Sequence, residues 1–141
     1  MQRTVERMLR TSPEPLLAPA DPLSACIYAC VECAQVCTAC ADACIADHER
    51  ALDGCIRLNL DCADLCTATS RILSRQLEPD LGMVSMTVQL CAAVCDACAY
   101  VCSRHAEMHP HCDVCAASCR RCLNACRALL ATTIRPRRFP H

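Results

Sequence analysis

Residues 25–44 read ACIYACVECAQVCTACADAC, with Cys26, Cys30, Cys33, Cys37, Cys40 and Cys44 at steps of four, three, four, three and four. The rhythm returns as Cys91, Cys95, Cys98 and Cys102, and again as Cys112, Cys115, Cys119, Cys122 and Cys126. Cys55, Cys62 and Cys66 bring the total to 18 in 141 residues. Steps alternating between three and four average about 3.5 residues, which keeps the thiols on the one helix face that a bundle turns inward. The chemistry of the chain is therefore that of an inward column of sulfur.

Several chemistries compete for such a column. Thiols four and three apart on an ideal helix have Cα atoms about 6.2 and 5 Å apart, within bridging range. Disulfides inside a helix nevertheless close tiny loops and constrain little of the unfolded chain. The strings CIYACVEC and CAAVCDAC match a cluster-binding spacing, but any continuous seam of this kind generates it, and ferredoxin spacing is absent. Zinc sites use discrete sets of four ligands and end there. Monovalent copper fits best, because it is soft, accepts two or three thiolates and lets one sulfur bridge two ions. Each ion also cancels one thiolate charge that would be costly to bury alone. Capacity then runs from roughly 9 ions per chain with unshared thiolates to about 18 with every thiolate bridging. Packing alone would be served better by Leu, Ala or Val, although protonated thiols predict a bundle that folds without metal.

The elements that hold the column follow from the punctuation. Pro13, Pro15, Pro19 and Pro22 mark residues 1–22 as an extended lead-in with a short helix over Thr4–Arg10. Residues 23–133 form the bundle, and 134–141 form a solvated basic tail. Asp21 and Pro22 read as N-cap and first residue of a helix over about 22–46. A second helix is expected over about 50–76, a third after Gly82 to about 106, and a fourth opening at Pro110. The fold class is all-α, an antiparallel up-down-up-down four-helix bundle with a Cys-lined core.

Its two ends should differ. The second helix's seam runs Cys55, Asn59, Cys62, Cys66, Thr69 and Leu73, and the third opens with Val84 and Val88, so one end is an apolar plug. At the other end His48, His105, His109 and His111 gather, making a histidine mouth for loading and release.

Composition bounds the rest. The net charge is −1 with no lysine, which predicts no nucleic-acid or membrane partner. The N-terminus lacks the apolar run of a signal peptide and no stretch of about eighteen uninterrupted apolar residues occurs, so a cytoplasmic location with reduced thiols is expected. No nucleophile triad, phosphate loop or paired carboxylates point to an enzyme. The outer faces read as rich in Arg and Asp/Glu, with no large apolar patch, and the methionines form no clear stripe.

The six-thiol first helix, GCIRLNLDCADLC at 54–66 and HPHCDVCAASCRRCLNAC at 109–126 resemble the bacterial copper storage proteins, specifically their cytosolic branch, over about residues 23–130. The resemblance implies a four-helix bundle, commonly a homotetramer, holding many Cu(I) ions along its axis. It makes all eighteen cysteines ligands, with His105, His109 and His111 as non-sulfur ligands at the mouth and Asp61, beside Cys62, as a candidate carboxylate ligand. His48 is set apart because it lies in a turn. A copper chaperone or a small-thiol copper complex would deliver the ions. A zinc-binding protein or a thiol-redox buffer stays open as the alternative.

Overall fold

The computed structural model describes residues 1–132; the basic tail 134–141, and residue 133 at the expected end of the bundle, lie outside the described residues. The described residues contain five α-helices: α1 (Gln2–Arg10), α2 (Ala20–Ala46), α3 (Asp53–Leu73), α4 (Leu81–Ser103) and α5 (Pro110–Leu130). A single 3-10 turn, Arg50–Leu52, leads into α3, and no strand occurs among the described residues.

The helix starts follow local chemistry. His109 is extended and Pro110 opens α5, as the His-Pro pair predicts. Asp80 caps α4, its Oδ1 accepting from the Met83 N–H at 3.1 Å. The start of α2 is earlier than Asp21 and Pro22 imply: Pro19 is the N-cap, and Asp21 lies in the first turn. Pro22 is tolerated there because the first-turn N–H groups have no intrahelical acceptor in any case. The helix end of α3 comes at Leu73 rather than 76, because the buried Gln76 side chain donates to the Leu73 carbonyl at 2.8 Å. Gln76 Oε1 also accepts from the Leu17 N–H at 2.9 Å, tying the lead-in to the bundle. The helix α4 stops at Ser103 rather than near 106 and gives way to turns that reach His109.

Helix α2 packs on α3 and α5, and α4 packs on the same two, closing a ring of four. Sulfur contacts give the directions. Cys26 meets Cys126 at 3.8 Å while Cys37 meets Cys115 at 3.7 Å, so α2 and α5 run oppositely. Cys55 meets Cys102 at 3.4 Å and Cys66 meets Cys91 at 3.8 Å, so α3 and α4 do too.

The lead-in is not extended over its length, since α1 packs on α2 and buries Leu9 while Leu17 and Ala18 join the core. Leu17, Leu23, Leu73 and Leu129 are fully buried at the end where Val84 and Val88 lie, forming the expected apolar plug. Each such side chain stabilises the fold by about 1.5–3 kcal/mol. Both α2 and α4 are long and apolar enough to cross a membrane by length and mean hydropathy (1.5 and 1.6), but each turns its thiol seam into the bundle.

Candidate metal centre

All eighteen cysteines are buried as free thiols, Cys40 being the most accessible at 2%. Their sulfurs form overlapping groups within 4.8 Å rather than separate sites. Cys33, Cys37, Cys62 and Cys119 form one group, Cys33, Cys62, Cys66 and Cys95 the next, and Cys37, Cys98, Cys115 and Cys119 a third. With metal–sulfur bonds of about 2.3 Å, sulfurs around one ion lie about 3.8–4 Å apart, and the contacts here match that spacing. Spacing alone suits zinc as well as copper. The sharing of Cys33 and Cys62, and of Cys37 and Cys119, is what a discrete tetrahedral zinc site lacks and bridged thiolate copper needs.

The column has a joint. Cys33 meets Cys37 at 3.7 Å and Cys119 at 3.8 Å, and these two connect onward to the mouth half, Cys37 meeting Cys115 at 3.7 Å. Below the joint Cys33 leads to Cys62 at 3.9 Å, which touches Cys66 and Cys95. Cys30, Cys91, Cys122 and Cys126 form a further group toward the plug.

Asn59, the amide of the α3 seam, is fully buried among the thiols. Its Oδ1 accepts from Cys98 at 3.0 Å, Cys115 at 3.2 Å and Cys102 at 3.5 Å, while its Nδ2 donates to Cys55 Sγ at 3.5 Å. The sequence marks this position only as a non-sulfur break in the seam. The fold makes it a satisfied polar group whose oxygen faces three potential ligands.

At the mouth the histidines part company. His111 Nδ1 lies 3.5 Å from Cys40 Sγ, 3.5 Å from Cys112 Sγ and 3.9 Å from Cys44 Sγ. His111 with Cys40, Cys44 and Cys112 makes a mixed imidazole–thiol group. Its Nε2 donates to Asp47 Oδ2 at 2.8 Å, which leaves the Nδ1 lone pair aimed at the sulfurs, the arrangement by which a carboxylate orients an imidazole toward a metal. His109 is buried behind it, its Nδ1 2.9 Å from the same Asp47 oxygen and its Nε2 3.4 Å from Glu49 Oε2. His105 is half-buried, with its ring 6.5 Å from that of His109. The hydrogen bond from His111, then the nearby His109, holds the Asp47 carboxyl below its usual range.

Two expected residues are placed elsewhere. His48 follows the end of α2 with φ 55, a left-handed turn conformation, and is exposed, so it leaves the inward register of Cys44. Asp61, with its side chain 48% exposed, accepts from Arg57 Nε at 3.1 Å. Asp47 and Glu49 were not foreseen, because the polar turn after α2 reads as solvent-facing until the start of α5 is folded against it.

Burial pushes the Cys44 thiol up to about 11, with repulsion from Cys55 adding to it, and Cys112 is raised for the same reasons. Against the ordinary thiol value of 9.0, the folded form therefore keeps protons that the unfolded chain releases, and stability falls as pH rises through that interval. The urea midpoint of the metal-free protein is expected to hold steady up to about pH 8.5 and to drop between about 9 and 11. A midpoint unchanged across that interval would show these thiols ionising like exposed ones.

Residues 20–131 match the copper storage protein family. The chain is similar to the copper storage protein Ccsp from Streptomyces lividans loaded with 10 copper equivalents, at 48% identity, covering 90% of this chain and 98% of that one with a TM-score of 0.84. It is similar to a cytosolic copper storage protein from Streptomyces lividans carrying five coppers, at 50% identity over 79% and 93% of the two chains, TM-score 0.73. A histidine-to-alanine variant of Ccsp matches at 48% identity over 82% and 97%, TM-score 0.76. Among curated proteins there is no match. A buried, overlapping sulfur column in an all-helical chain and this match over most of its length agree: the chain belongs to the copper storage protein family.

Proposed function

We propose that this chain stores many Cu(I) ions in the cytosol, held as bridged thiolates along the bundle axis and exchanged through the histidine mouth. The observation that carries the reading is the sharing of sulfurs between neighbouring groups, which allows roughly one ion per thiolate and so leaves a loaded core near neutral. All eighteen cysteines serve as ligands, with His111 at the thiols and His105 and His109 lining the way in. Asp61, taken up by Arg57, is left out of this ligand set. A copper chaperone or small-thiol complex would hand over ions by ligand exchange at the mouth, and the storage unit would be a homotetramer.

The test is an anaerobic titration of the fully reduced protein with Cu(I) against a chromophoric chelator, after counting free thiols. Well over about nine ions per chain should be taken up before the chelator holds any, because unshared thiolates stop near that number. Uptake of only a few ions, with a preference for zinc at four-thiol sites or rapid disulfide formation, would make this a zinc or thiol-redox protein instead.

A further inference from the structure

One face of the bundle contradicts the polar exterior expected from the sequence. Of the 23 residues of α4, Asp96 alone is charged. Met83, Met86 and Leu90 are 64%, 70% and 53% exposed, Ala93 and Ala97 are exposed, and Tyr100 is 65% exposed. Their spacing of three, four, three, four and three is a second seam, on the side of α4 away from the thiols. A helix apolar all round has to bury both faces. The outer face of α2, by comparison, exposes Gln35, Thr38 and Asp42.

The order of residues along this seam is self-complementary. Laid antiparallel on a second α4 about a two-fold between Cys91 and Ala92, Leu90 meets Ala93 of the second copy, Met86 meets Ala97 and Met83 meets Tyr100. Large side chains then face small ones at both positions nearest the axis, the arrangement that lets two helices interdigitate. Charge follows the same symmetry. Arg104 lies over the Tyr100 ring at 5.9 Å, at the end of the seam that falls beside Glu78 and Asp80 of the second copy, which precede its α4.

We propose that the outer face of α4 is a two-fold interface between copies of this chain, centred on Leu90 and Ala93, with Met86 and Ala97 as the next pair outward. This deepens the assembly part of the proposed function and rests on it. It leaves the thiol column of each copy untouched, since the two seams occupy opposite faces of α4.

The full-length, reduced, metal-free chain is to be studied by sedimentation equilibrium. A93E/A97E places four carboxylates at the two-fold and should weaken association at least about 100-fold, with helical circular dichroism and copper capacity per chain retained. T38E, on the outside of α2, should change nothing. R104E should weaken association by about tenfold, and adding E78R should restore it, which reports the antiparallel orientation. A wild type that assembles and whose A93E/A97E variant assembles as tightly overturns the α4 contact and leaves the homotetramer reading standing. A wild type that stays monomeric at tens of micromolar overturns both. Binding of phosphatidylcholine vesicles by that monomer, lost in A93E/A97E, would assign the seam to a lipid surface.

Discussion

Replacing Cys37 and Cys119 together with alanine is expected to leave a folded bundle whose plug-side half fills with copper at least about tenfold more slowly than in the parent. Cys33 touches both of these sulfurs, at 3.7 and 3.8 Å, and they connect the half that contains His111 to the half that contains Cys62, Cys66 and Cys95. The far end offers no second way in, because Leu17, Leu23, Leu73 and Leu129 are fully buried there. An ion moving between thiolates along these contacts crosses the joint, and removing Cys37 and Cys119 takes away the two sulfurs that touch Cys33 from the mouth side. The fold should survive, since each change removes one small buried group at a cost of about 1 kcal/mol. Capacity should also fall by more than the one or two ions that two unshared thiolates could hold, because each lost sulfur bridges. Time-resolved anaerobic uptake, followed by thiolate-to-copper absorbance, reads both quantities. A single fast phase like the parent's, with a loss of no more than one or two ions, would refute the continuous path.

The triple variant H105A/H109A/H111A is expected to do the reverse, keeping capacity within about one or two ions while slowing uptake and removal by about tenfold. The mixed group of His111, Cys40, Cys44 and Cys112 loses its imidazole, and its three thiols stay in place. Imidazole is a poorer partner for Cu(I) than thiolate, so an ion passing the mouth is held there less tightly and exchanges first. Asp47 contributes by fixing which nitrogen of His111 faces the sulfurs. Chelator-driven removal from the loaded protein, compared with stopped-flow loading, separates the two directions. A large fall in capacity with unchanged helical content would show the histidines to be storage ligands rather than exchange ligands.

Much of this was legible in the sequence because helix periodicity is a local property. A thiol every 3.5 residues fixes helix, face and inward direction together, and Pro110 punctuates the chain without help from distant residues. Boundaries were less legible where a side chain from elsewhere ends the helix, as Gln76 does by bonding both Leu73 and Leu17. The lead-in was legible in its short helix but not in its packing, for a similar reason. Its prolines report an irregular backbone, but only the assembled bundle shows that Leu9 and Leu17 have a core to enter.

The site divides in the same way. The sequence by itself determined the donor type, its continuity along the axis and the end at which imidazole gathers, since each depends on composition and register within one helix. Tertiary structure decided which sulfurs are shared, that Asn59 turns its oxygen to three thiols, that His111 rather than His109 faces the sulfurs, and that Asp61 goes to Arg57. It also revealed the second, outward seam of α4, which in the sequence is hidden among the residues of the first. These outcomes depend on distances between side chains on different helices, and such distances are set only when the whole bundle packs.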